Sequence, residues 1–162
     1  MSREHSKGFT LIEILVVVLI IGITIGFALL AFGDFGNKRR ILISAEQFVN
    51  YVKFVQHQAI LESSTLGITL NNNNYQVLRF QSTLTWQGMP NRSIFHQQHF
   101  PYGAIVRLEN NTAKSRNPQI IINSSGDMTA FILNLSTNKE ATIAKVIGNS
   151  NGEVALQLLN SP

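Results

Sequence analysis

The sequence contains no cysteine, which removes disulfides, thiolate metal sites and thiol nucleophiles together. It leaves the compartment open, because an exported domain can fold without disulfides. Charge is also scarce, with Asp, Glu, Lys and Arg making up 14% of the chain. Beyond the N-terminal apolar run, solubility must therefore come mostly from Asn, Gln, Ser and Thr. The net charge of +4 is modest and the basic residues form no dense stripe, so nucleic acid is not an expected partner. Neither a glycine-rich phosphate loop nor a G-x-S-x-G elbow is present, and no catalytic constellation replaces them, so an enzyme is not expected. Asp127, Glu140 and Glu153 are too isolated to supply the oxygen cluster of a calcium loop. His96 and His99 have the spacing of two metal ligands, but no carboxylate or third histidine accompanies them. No metal or cofactor is expected. Arg107, Lys114 and Arg116 read as ordinary solvated surface.

One long apolar run is present, from Phe9 to Phe35. At about 1.5 Å per helical residue it is long enough to cross a hydrocarbon core of about 30 Å. Between Ile14 and Gly33 the only side chain able to hydrogen-bond is Thr24. A helix apolar on all faces at a chain end is better explained by a membrane than by burial in so small a domain. A cleaved secretory signal is the competing reading, since Ala31-Phe32-Gly33 offers small residues at a suitable spacing. The run exceeds the usual apolar core of a signal, however, and a carboxylate, Glu13, lies inside it. A charge at the centre of a membrane helix costs about 2.5–3.5 kcal/mol and less near its end. A disposable segment has no need of that cost, so Glu13 is a candidate functional residue. Charge alone favours the C-terminal side as cytoplasmic, because Lys38-Arg39-Arg40 follow the span while Arg3 and Lys7 precede it.

From Ile41 to about Glu62 the pattern stays helical but becomes two-faced. Leu42, Ala45, Phe48, Val49, Val52, Val55 and Ala59 recur at three- and four-residue spacing, with Glu46, Asn50, Lys53 and Gln56 between them. Gly33, Asp34, Gly36 and Asn37 make a bend or break before this segment conceivable. After Ser63 the signals change to strand, with three hairpins expected. Leu66–Leu70 and Tyr75–Phe80 flank the first turn. Gln119–Ile122 and Thr129–Leu135 flank the second, at Ser124–Asp127. Ala141–Ile147 and Glu153–Leu159 flank the third, at Asn149–Gly152. Residues 81–118, interrupted by Pro90, Pro101 and Pro118, predict loops with one or two strands.

The residues Gly8-Phe9-Thr10-Leu11-Ile12-Glu13, with a short charged leader before them and an apolar helix after, resemble the processing site of prepilin-like proteins. Further along, Gln58–Glu62 with Leu66-Gly67-Ile68, the hairpin from Ile121 to Phe131, and Gly148–Val154 look like the H-type minor pseudopilins of type II secretion systems. In the hairpin, Ser124 stands where that family often has proline.

The resemblance implies an α+β, type IV pilin-like fold, a long N-terminal helix packed on an antiparallel β domain. It implies four segments: a cleaved leader at 1–8, a transmembrane or filament-core helix at 9–36, an amphipathic helix at 37–62 and a periplasmic β-rich domain at 63–162. It further implies cleavage after Gly8 on the cytoplasmic face and N-methylation of Phe9. The protein would then be an inner-membrane, single-pass subunit at or near the tip of a periplasmic pseudopilus that exports folded proteins. Its partners would be other minor pseudopilins, the major pseudopilin, the prepilin peptidase and the inner-membrane secretion platform. The calcium site of major pseudopilins does not carry over. A minor pilin of a type IV pilus, acting in pilus initiation or DNA uptake, is the alternative. The absence of cysteine leans against it, because many pilus subunits close a C-terminal disulfide loop.

Physical chemistry supplies a role for Glu13 within this resemblance. Cutting after Gly8 places a positive amine at the head of an apolar helix. Where helices stack, that charge needs a partner in low dielectric. A carboxylate about one turn along, on a neighbouring helix, can answer it and set the axial register with Phe9.

Overall fold

The computed structural model describes residues 9–71, 73–90, 94–109, 118–138 and 142–159. Helix α1 spans Leu11–Leu61. Among the described residues nine strands follow: β1 Leu66–Asn71, β2 Asn74–Phe80, β3 Trp86–Gly88, β4 Gln98–His99, β5 Ile105–Leu108, β6 Ile120–Ile122, β7 Phe131–Ser136, β8 Ala144–Gly148 and β9 Val154–Leu158. The chain divides into two compact units, Met1–Gly36 and Asn37–Pro162. The helical assignment passes through residues 33–36 without interruption.

In the first unit the described part of α1 is apolar and entirely uncovered. Leu11–Leu29 has a mean hydropathy of 2.8 and no buried residue, and is long and apolar enough to cross a membrane. Thr24 turns its hydroxyl onto its own backbone, donating to the Ile20 and Ile21 carbonyls at 3.0 and 2.9 Å. The one polar side chain between Ile14 and Leu29 is thereby satisfied within the helix, as lipid requires.

The second unit has its own core. Along α1, Ala45, Phe48, Val49, Val52, Val55 and Ala59 of the expected stripe are buried, and Ile41 is buried where Leu42 was expected, Leu42 being half-buried against the core. They join buried residues of both sheets, including Leu66, Ile68, Val77, Ile120, Ile122, Phe131, Leu133, Leu135 and Val146. Phe48 is its aromatic hub, with ring centroids 5.1 Å from Tyr75, 5.8 Å from Phe100 and 6.3 Å from Phe131. Burying each such side chain contributes roughly 1.5–3 kcal/mol. Tyr51 packs against Tyr75 and Phe95, and burial pushes its hydroxyl pKa upward.

Among the described residues all strand pairings are antiparallel. One sheet runs β3-β2-β1-β6, with β4 also on β2, and the other runs β5-β7-β8-β9. The first and third expected hairpins are present as β1–β2 and β8–β9. The second differs. β6 and the segment after its turn share one bridge, Ile122↔Met128, with Thr129 hydrogen-bonded to Ile121 beside it. Beyond that, β6 pairs with β1 while β7 pairs with β5 and β8. The chain crosses from one sheet to the other at this turn. Among its described residues the region 81–118 holds three short strands rather than one or two.

Two features close the end of α1. Ser63 takes φ 48°, and the Ser63 and Ser64 N–H groups donate to the Ile60 and Ala59 carbonyls at 3.1 and 3.0 Å, a left-handed cap that satisfies the last carbonyls. Glu62 then binds Gln58 and pairs with Arg79 of β2. The Gln58 amide and the Arg79 guanidinium hold the Glu62 carboxyl below the usual glutamate range, against a smaller opposing effect of desolvation.

Candidate assembly site

The N-terminal candidates fall at the start of α1. Gly8 lies outside the described residues. Phe9 and Thr10 precede the helix, and Phe9 is 78% exposed. Thr10 is the N-cap: the Glu13 N–H donates to the Thr10 carbonyl at 3.1 Å and to its Oγ1 at 3.3 Å. Thr10-Leu11-Ile12-Glu13 thus has the spacing of a capping box. The helix therefore begins at Leu11, two residues later than a start at Phe9, because the Thr10 side chain occupies the capping position. Glu13 is the acid of the first turn, where a negative charge is favoured by the unpaired N–H groups of the helix start. The geometry brings Phe9, Thr10 and Glu13 within one turn of backbone and leaves the surrounding apolar surface uncovered.

Sequence reasoning missed the polar centre of the second unit. The amide nitrogen of Gln56 donates to the Gly126 carbonyl at 2.7 Å and to the Gly152 carbonyl at 3.0 Å. These carbonyls belong to two turns with nearly the same sequence, Asn123-Ser124-Ser125-Gly126-Asp127 and Asn149-Ser150-Asn151-Gly152-Glu153. Each turn closes in the same way. Asn123 N–H reaches the Asp127 carbonyl and Asn149 N–H reaches that of Glu153, both at 2.8 Å. Gly126 and Gly152 adopt φ 93° and 89°, which favours glycine at both positions. A Met128 N–H bond to the Ser150 carbonyl ties the turns together. Gln56 therefore pins α1 to the crossing between the sheets and to the β8–β9 turn at once. The repeated N-S-x-G-acid pattern was the available signal.

The remaining candidates are dispersed. His99 Nδ1 lies 2.7 Å from Asn74 Oδ1, and His96 Nε2 lies 3.0 Å from the Gln98 amide nitrogen, so the two rings are engaged separately. Among the described residues no group of three or more His, Asp or Glu converges as a metal cage would require. Asp127 accepts from Ser125 Oγ at 2.8 Å. Arg107 lies on β5. Lys114, Arg116 and Glu140 lie outside the described residues.

Known proteins share both halves of this layout. A family model described as type II transport protein GspH matches residues 44–152, and one described as the prokaryotic N-terminal methylation motif matches residues 3–29. The type II secretion system protein H of Pseudomonas aeruginosa is 29% identical, over 81% of this chain and 83% of its own. The minor pseudopilin EpsH from the type 2 secretion system of Vibrio cholerae has a similar fold, with a TM-score of 0.62 and 22% identity over 74% of this chain and 97% of its own. The type IV minor pilin FimU of Pseudomonas aeruginosa follows at a TM-score of 0.56 and 11% identity, over 76% of this chain and 92% of its own.

Proposed function

Because this chain belongs to the GspH family of type II transport proteins, the H-type minor pseudopilins, we propose that it works as a structural subunit at or near the tip of a periplasmic pseudopilus. The observation that carries this reading is the joining of two parts in one chain. An uncovered apolar helix with an acid in its first turn precedes a β unit of the H-type family. Such a helix is stable in lipid or against other helices like it, and in few other places.

In this reading the leader 1–8 is removed after Gly8, Phe9 is methylated, and the N-terminus lies in the cytoplasm with the β domain in the periplasm. The methylation motif over residues 3–29 supports that orientation, whereas the basic flanks alone favour the reverse. Glu13 then answers the Phe9 amine of a neighbouring subunit. Other minor pseudopilins, the major pseudopilin, the prepilin peptidase and the inner-membrane platform are the partners this implies. No observation favours the type IV minor pilin over this role, since the likeness to that class is lower in both fold and sequence.

Deletion of the gene tests the role. Loss of exoprotein secretion with pili intact is the expected result; loss of pili or of DNA uptake with secretion intact would replace it with the alternative. Glu13→Ala should yield a chain that is processed normally but poorly incorporated.

A further inference from the structure

The cations that follow the apolar run have no task in the filament role. Lys38, Arg39 and Arg40 come directly after it, and Asp34 is the one acid between Glu13 and Glu46. Asp34 offsets one of the three positive charges. In the orientation proposed above, these residues lie on the periplasmic side, where the positive-inside rule disfavours them. A chain so poor in charge needs a reason to keep them there, and a counter-charge outside the chain supplies one.

The protein itself leaves two of the cations free. Arg39 and Arg40 are exposed, and among the described residues neither has an ion pair or a hydrogen bond. Lys38 is half-buried and engaged. The core lies on the opposite side of the helix here. Ile41, Ser44 and Ala45 are buried, whereas Ile43 is 44% exposed. Ile43 follows Arg39 by four residues and Arg40 by three, the spacings that place side chains on one helix face. That face is therefore cationic and apolar at once.

Chain length keeps this face at the membrane surface. Whatever path the backbone takes, Arg39 lies within about 14 Å of Phe35, four residues before it. The headgroup layer takes up about 5–8 Å of that distance, and the pull of anionic headgroups extends about 8 Å further. An anionic phospholipid meets every one of these features. Its phosphate accepts paired N–H bonds from a guanidinium fork, and its acyl chains give Ile43 an apolar neighbour. Free phosphate would leave Ile43 uncovered. A nucleic acid would find no further basic track, since the next exposed charge along α1 is Glu46.

We propose that Arg39, Arg40 and Ile43 bind the headgroup of an anionic phospholipid in the leaflet adjoining the C-terminal end of the span. The site goes beyond the filament role and requires only the membrane anchor, so the two fail separately. Bound lipid supplies the missing counter-charge and holds the stored subunit at a fixed depth. The full-length chain, purified in neutral detergent, is titrated with phosphatidylglycerol or phosphatidylcholine, and bound lipid is counted by native mass spectrometry. Phosphatidylglycerol should bind several-fold more tightly. R39Q/R40Q should weaken it on the order of 25-fold, about fivefold per cation, and leave phosphatidylcholine binding unchanged. K53Q removes an exposed cation elsewhere on α1 and should alter neither. Equal binding of the two lipids would leave the arginines to an acidic protein partner and overturn the proposal. An unchanged R39Q/R40Q, or an equal loss in K53Q, would do the same. Inorganic phosphate at the same concentration should not displace the lipid; displacement would reveal a free-anion site and overturn the lipid assignment.

Discussion

A primary amide offers two N–H donors from one nitrogen, and Gln56 gives one to each of two glycine carbonyls, 70 and 96 residues further along the chain. Removing it strands both acceptors in a half-buried site, where an unmade hydrogen bond costs about 1–3 kcal/mol. Gln56→Ala should therefore lower the unfolding free energy by about that amount, measured by urea unfolding of the full chain in detergent. Gln56→Glu should be worse at neutral pH, because a carboxylate would face two carbonyl oxygens. Protonation returns one donor, so the introduced glutamate has a folded-state pKa raised above its unfolded value. Its stability deficit should be smallest below the ordinary glutamate range and grow as pH rises through the raised value. Equal stability of the Ala and Glu variants across that range would contradict the clamp. Glu13 stood out in the sequence because a charge inside an apolar run is costly to place there. Gln56 did not, because a glutamine between apolar helix positions reads as solvated and its partners are remote.

Among the elements, β7 and β8 show why two of the sequence features that resemble the family occur together. Phe131 opens β7 and pairs with Gly148, which closes β8. A Cβ on Gly148 would overlap the Phe131 ring, so the glycine is required by close approach. Gly148→Ala should destabilise the fold by about 1–3 kcal/mol, the usual cost of overpacking. Adding Phe131→Leu should recover part of that loss, a coupling readable in a double-mutant cycle. Additive losses would show that the ring and the glycine act independently. The helix and the β1–β2 and β8–β9 hairpins were legible because period and turn residues act locally. The crossing at 123–127 was not. β6 finds its partner β1 more than 50 residues away, and a turn signal does not say whether its flanking strands stay in one sheet. β3 and β4 were obscured by their length, at three and two residues.

At the scale of the whole molecule, the two units meet opposite physical demands. The β unit closes its own core around Phe48 and both sheets. The apolar helix has no buried residue between Leu11 and Leu29 and depends on lipid or on neighbouring helices. A membrane-stored helix that later packs in a filament satisfies that dependence twice, with the same surface. In the role proposed above, cutting after Gly8 creates the amine that Glu13 of a neighbouring subunit answers. The intact mass of the mature protein, recovered from membranes of secreting cells, measures this directly. The expected mass is that of a chain beginning at Phe9 and carrying one added methyl group. A chain cut after Gly33, or one retaining its first eight residues, would contradict the filament-core role of this helix.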